Sequence, residues 1–264
     1  MAFAGPMARA MCYRCFWPQS LCWCSSLKPM ETRTRFVFLM HPKEFKQEKA
    51  GTGRLTQLCL PHSSLHMGIG FDADEEVQAL LSDPGHYPVL LYPGAEAINL
   101  SEATQAGSVQ SAKLAALRDA IVRRALLVVI LDATWSGARK MLRLSRSLQR
   151  LPRIMFTPHQ PSRYVIKQQP QVGCLSTLEA THELLLALES LGLDGYPKPE
   201  QLLEIFRRMQ DFQIRCAADP KREGYRHRSF TEPAARTSAR GRSRSRRQNY
   251  LRKPLAGIDR APGP

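Results

Sequence analysis

Between Leu126 and Arg146 the chain reads LLVVILDATWSGARKMLRLSR. Six aliphatic residues in succession cannot make a strand with one wet face, because alternate side chains of a strand point to opposite sides. The run is far shorter than the ~20 residues of a membrane span. It is therefore a strand buried on both faces, the kind found inside parallel sheets.

Similar short runs recur. RFVFLM (35–40), YPVLLYPG (87–94) and PRIMFTP (152–158) read as further buried strands. Helices are predicted between and after them. AKLAALRDAIVRR (112–124) puts Leu114, Leu117 and Ile121 on one face. LSTLEATHELLLALESLG opens with Ser176 and Glu179 at capping-box spacing and closes on Gly192. KPEQLLEIFRRMQDFQIR (198–215) is a last helix with Pro199 near its start. Strands alternating with helices predict an α/β fold, a parallel sheet covered by helices on both faces. Ligands of such sheets sit beyond the carboxyl ends of the strands, and Asp132 stands at such an end.

Past Asp132 the pattern predicts one amphipathic helix. Arg139, Arg143, Arg146 and Arg150 share one face of it, and Met141, Leu144, Leu148 and Leu151 the other. No Asp or Glu occurs from 133 to 178 to pair with those arginines, so phosphate contacts are the favoured reading over a merely solvated face. Asp132 itself fits two roles by spacing alone, a helix cap or a proton-accepting carboxylate. Trp135 is either core or a stacking platform, and His41 structural or catalytic. GTGR (51–54) lacks the GK[ST] ending of a P-loop.

Charge and composition divide the 264 residues into three zones. Residues 1–27 hold four of the seven cysteines, residues 28–215 the alternating elements, and residues 216–264 an Arg/Ser-rich segment with almost no large aliphatic side chains. That last zone is expected to be disordered when free. From 221 to 264 there are 13 Lys or Arg against 3 Asp or Glu, so +10 of the net +15 resides there. A polyanion such as RNA is the natural partner. The first residues show neither a long apolar core nor a cleavage pattern, so no secretory signal is expected and the cytoplasm is the expected compartment, with a mitochondrial presequence left open. Cys12, Cys15, Cys22 and Cys24 lie within thirteen residues. In a reducing compartment this spacing predicts a structural Zn²⁺ knuckle with four thiolates and no open position.

Taken in order, the cysteine cluster, HPKE (41–44), TGRL (52–55), LYPG (91–94), DATW (132–135) and LSTLEA (175–180) resemble the DTW-domain family, the tRNA-uridine aminocarboxypropyltransferases. The resemblance implies a SPOUT-like fold whose carboxyl-terminal part is threaded into a knot. It also implies S-adenosylmethionine as donor and a tRNA uridine as acceptor. The 3-amino-3-carboxypropyl group passes to uridine N3 and methylthioadenosine is released. Placed on this chain, it makes Asp132 the general base and gives the donor's carboxylate to Ser176, Thr177 and their helix N-terminus. The backbone around Leu91, Tyr92 and Leu131 faces the adenosine, and Trp135 stacks on a ring at the same pocket. Arg54, Arg139, Arg143 and Arg146 take tRNA phosphates. Two other readings stay open: a SPOUT-type RNA methyltransferase using the same donor, and a zinc-containing RNA-binding protein without catalysis. The target uridine and the oligomeric state are not specified by the sequence.

Overall fold

The computed structural model describes residues 10–47, 51–103, 108–166 and 173–218. The tail expected to be disordered lies, from 219 onward, outside the described residues.

Among the described residues six strands form one sheet: β1 (Arg35–Met40), β2 (Ser63–Met67), β3 (His86–Leu91), β4 (Ile98–Asn99), β5 (Ala125–Asp132) and β6 (Arg153–Met155). All pairings are parallel and the order is β2-β1-β5-β3-β6-β4. The predicted buried strand 125–131 is thus an inner strand, with β1 and β3 on either side. The helices are α1 (Pro42–Gln47), α2 (Thr52–Cys59), α3 (Glu75–Ser82), α4 (Val109–Ile121), α5 (Trp135–Arg143), α6 (Arg146–Gln149), α7 (Thr177–Ser190) and α8 (Glu200–Ala218). No helix among the described residues is long and apolar enough to cross a membrane.

Alternation along the inner strands separates two cores. Val37, Leu39, Leu90, Leu127 and Val129 join Val77 of α3, Ala138, Met141 and Leu142 of α5, and Leu148 of α6 in one buried cluster. Phe36, Phe38, Met40, Val128 and Ile130 are buried on the other side, where α2 packs on β1 and on α7. Helices cover both faces, as the uniformly apolar strands require. The register pairs Met40 with Asp132, so Asp132 projects to the same side as Met40 and Ile130, toward α2 and α7.

The single basic helix expected after Asp132 is corrected to two. α5 stops at Arg143 and α6 restarts at Arg146. Ser145, fully buried, donates its hydroxyl to the Met141 carbonyl (2.9 Å) and accepts from the Phe71 amide (3.1 Å). A buried serine that bonds the backbone competes with helical continuation. Asp72 then caps the new start, accepting from the backbone N–H of Arg146 (2.8 Å) and from the N–H and hydroxyl of Ser147 (2.9 and 2.7 Å). Arg146 and Arg150 therefore do not continue the face that carries Arg139 and Arg143.

Helix α7 has both predicted ends. Ser176 and Glu179 make the complete capping box, and Gly192 follows the helix at φ +69°, the left-handed conformation glycine adopts without penalty. Contacts divide the described residues into two compact units. The larger holds the sheet, the amino-terminal knuckle and α8 as far as Met209. The smaller holds Tyr164–Ile166 and α8 from Gln210; there the Val165 amide donates to Gln210 Oε1 at 2.8 Å.

Candidate active site and metal centre

Asp132 ends β5 with its side chain 6% exposed. The hydroxyl of Thr177, first residue of α7, donates to Asp132 Oδ1 at 2.6 Å. The backbone of Gly53 in α2 lies flat against the same carboxylate: a Cβ built at Gly53 falls 2.2 Å from Asp132 Oδ2. The amide of His41 donates to the Asp132 carbonyl at 3.0 Å, tying the end of β1 to the end of β5. Four motifs distant in sequence (HPKE, TGRL, DATW and LSTLEA) thus meet at one residue, TGRL and LSTLEA at its carboxylate and HPKE at its main-chain carbonyl. Of the two roles left open for Asp132, helix capping falls to its neighbour: Thr134 is the N-cap of α5, its side chain accepting from the Gly137 amide at 3.2 Å.

The hydroxyls expected to hold a ligand carboxylate are engaged within the protein. Ser176 Oγ is bonded to Glu179 Oε2 at 2.7 Å, and Thr177 to Asp132. Glu179, also buried, further accepts from Ser162 Oγ (2.8 Å) and the Arg163 amide (2.6 Å), fastening the segment after β6 to the start of α7. At the tips of β3 and β5, the Tyr92 ring packs in the core under α5, and Leu91 and Leu131 are half-buried. Burial pushes the Tyr92 phenol up, with Arg139 and Arg153 pulling the other way. Trp135 is 37% exposed at the start of α5; Arg139 is half-buried, while Arg143 and Arg146 are exposed.

Arg54 is not the open surface contact expected of a phosphate ligand. Its guanidinium sits over the faces of both Phe16 and Phe45, 4.0 and 4.2 Å from their centroids, in the corner the two edge-on rings make. Burial lowers its affinity for a proton, and the charge of Asp132, then Cys15, restores part of it. Arg54 lines a cleft with Trp17 and Trp23 of the knuckle, Met40, Glu44 and Met209. Sequence reasoning missed Phe16 and Phe45 as members of this site, and placed Gly53 there only within the GTGR stretch (51–54), with no role of its own. The signal for Gly53 was a glycine inside a helical start, where it costs stability unless something must approach closely; the two phenylalanines gave none.

The four amino-terminal thiols converge. Sγ atoms of Cys12, Cys15, Cys22 and Cys24 all lie within 4.8 Å of one another. Cys12 is 3.8 Å from Cys24 and Cys15 is 3.7 Å from Cys22. Tetrahedral Zn–S bonds of about 2.3 Å separate their sulfurs by about 3.8 Å, whereas a disulfide needs about 2.05 Å. The donor set and spacing fit a closed zinc site. Backbone N–H groups of Cys15 and Arg14 draw the Cys12 thiol down to about 6, while burial and the neighbouring thiols push Cys24 up to about 12. One thiolate forms readily, and a dication at the centre favours the rest.

These features define the class: a parallel α/β protein with a four-cysteine knuckle and an acid at the tip of an inner strand. The chain belongs to the DTW-domain family, whose model matches residues 9–214. It is 31% identical over 220 residues to tRNA-uridine aminocarboxypropyltransferase 2 of Mus musculus, covering 80% of this chain and 68% of that protein. Against the Drosophila melanogaster protein of the same name it is 29% identical over 192 residues, 70% of this chain and 69% of the relative. Against tRNA-uridine aminocarboxypropyltransferase A of Arabidopsis thaliana it is 25% identical over 228 residues, 78% and 81%. No solved structure matches the chain.

Proposed function

We propose that the protein transfers the 3-amino-3-carboxypropyl group of S-adenosylmethionine to N3 of a tRNA uridine, releasing methylthioadenosine. The observation that carries the reading is the Asp132 carboxylate, held at a parallel-sheet tip between Thr177 and Gly53, in a chain of the family whose relatives bear that activity's name. The donor supplies an electrophilic chain carbon on a sulfonium. What the protein must supply is a proton acceptor and alignment, because uridine N3–H is neutral at pH 7 and the displacement runs in line. Asp132 is the proposed acceptor.

The start of α7 and the backbone at Leu91, Tyr92 and Leu131 are proposed to hold the donor; with the hydroxyls of Ser176 and Thr177 engaged, backbone N–H groups of the helix start are the contact for its carboxylate. Trp135 is proposed to stack on the uridine once it leaves the base stack, and Arg139, Arg143 and Arg146 to meet phosphates. The proposed organisation is a zinc knuckle (1–27), a catalytic domain (28–215) of SPOUT-like, knotted type, and a basic tail (216–264), acting in the cytoplasm, where tRNA and reduced cysteines coincide.

The test is incubation of the purified protein with S-adenosylmethionine and unmodified tRNA, followed by nucleoside mass analysis. Aminocarboxypropyluridine with methylthioadenosine supports the proposal. Methylated nucleoside with S-adenosylhomocysteine would make the protein a methyltransferase, and tRNA binding with no product a binding protein.

A further inference from the structure

One side chain of the amino-terminal knuckle reaches Arg54 of α2, the neighbour of the glycine that meets the Asp132 carboxylate. Phe16 lies between Cys15 and Trp17 at φ +58°, in the left-handed region that a bulky residue rarely adopts. The knuckle turn holds it there: the Phe16 amide donates to the Cys12 carbonyl (2.8 Å), and the Cys12 amide to the Trp17 carbonyl (2.7 Å). From that position its ring meets Phe45 edge-on, centroids 5.5 Å apart, and covers one side of the Arg54 guanidinium while Phe45 contacts it as well.

A cation held over aromatic faces is attracted by their quadrupoles without using its N–H donors, which stay available for acceptors. Arg54 Nη2 is buried and meets no hydrogen-bond acceptor among the described residues. Arg54 adjoins Gly53, whose backbone touches the Asp132 carboxylate, and it lines the cleft beside Met40, the register partner of Asp132. Arg54 therefore borders the cleft, and the residue before it in α2 carries the backbone contact to the Asp132 carboxylate.

Resting on the transferase reading above, we propose that Arg54 is a catalytic residue that donates in-plane hydrogen bonds to a carbonyl oxygen of the acceptor uracil, and that Phe16 is the positioning residue that aims it. Loss of the N3 proton to Asp132 spreads negative charge onto O2 and O4. A guanidinium already oriented toward one of those oxygens stabilises that charge as it develops. The N3 electron pair then forms the bond to the donor's chain carbon, the carbon–sulfur bond breaks, and its pair stays on sulfur as the neutral thioether. The knuckle, with its metal, is in this view a wall of the reaction site.

The experiment uses the full chain in four forms: wild type, Phe16→Leu, Phe16→Tyr and Arg54→Lys. Bound zinc and the thermal midpoint are measured for each, then kcat and KM for both substrates. A stabilising effect on developing charge appears in kcat. Phe16→Leu should keep its zinc and lose roughly tenfold to a hundredfold in kcat, with both KM values nearly unchanged; Arg54→Lys should lose at least as much. Phe16→Tyr, which keeps the ring, should return to within about threefold of wild type. Unaltered kcat in Phe16→Leu would overturn the proposal, as would an effect confined to the KM of the donor, which would assign Arg54 to the donor's carboxylate. Failure of the tyrosine variant to rescue would reduce Phe16 to a structural role. Should kcat fall only together with lost zinc, the Arg54→Lys variant, remote in sequence from the cysteines, decides alone. A wild-type protein that forms no product defeats the transferase reading itself, so the two failures are told apart by that sample.

Discussion

The Thr177 hydroxyl and the Asp132 carboxylate are joined at 2.6 Å, linking the first residue of α7 to the last of β5. The hydrogen bond fixes one carboxylate oxygen and directs the other toward Gly53. Replacing Asp132 by Asn keeps an acceptor for Thr177 and removes the base. Turnover should fall by roughly 10²- to 10⁴-fold, the range expected for a general base, with the thermal midpoint little changed. Near-normal release of methylthioadenosine by the variant would end the assignment.

Gly53 is the position where the smallest added group does most. Alanine would place its Cβ 2.2 Å from Asp132 Oδ2, so either the carboxylate turns or α2 withdraws. The expected cost is about 1–3 kcal/mol of stability, typical of overpacking, together with a large loss of transfer. Denaturant midpoints and turnover of Gly53→Ala check both; an unaffected variant would mean the contact is soft.

The knuckle predicts its own metal content. Purified protein should carry about one zinc per chain, and Cys22→Ser should lose it, because three thiolates no longer close the tetrahedron. Elemental analysis of the two proteins decides this, and well-folded wild type free of zinc refutes the site.

At the joint between α5 and α6, Asp72 provides a dependence on pH. Burial alone would raise its pKa, but the hydrogen bonds from Ser147 and Arg146, with the Arg146 charge, hold it below the usual carboxylate range. A carboxylate depressed on folding stabilises the protein above its unfolded pKa, and that stabilisation disappears as pH falls through the folded value. Asp72→Ala should therefore cost roughly 1 kcal/mol near neutrality, the usual worth of a helix cap. The difference from wild type should shrink toward about pH 3. Urea midpoints at the two pH values read it out; a difference that does not change with pH would show that the charge plays no part.

The basic tail should act as a tether. Removing 221–264, which carries +10 of the net charge, is expected to weaken tRNA binding most at low salt and to spare turnover at saturating substrate. Equal affinities of the two proteins at low salt would reject the tether.

The inner part of the fold was readable because burial on both faces leaves an unmistakable mark: 36–40 and 125–131 are apolar throughout, and both lie in strands. The edge was not. β2, SSLHM, is polar and half-exposed, so it carries neither an apolar run nor clean alternation. The break between α5 and α6 was hidden for another reason. Helical periodicity continues through Ser145, and the groups that interrupt it, the Phe71 amide and the Asp72 carboxylate, come from more than seventy residues upstream. The same holds at the site. Asp132 and the four cysteines were legible from local pattern, but the stacking of Phe16 on Arg54 depends on how the knuckle lies against α2, which no local spacing encodes.

Because Asp132 stands on an inner strand and gathers Gly53 from upstream and Thr177 from downstream, its surroundings are complete only when both halves of the polypeptide have come together. A nascent chain emerging amino-terminus first would hold the knuckle, α2 and then the acid well before α7 exists. Competence should consequently arrive late and all at once, and a cut in any loop from 60 to 170 should leave two fragments that are inert apart and active only if they re-associate.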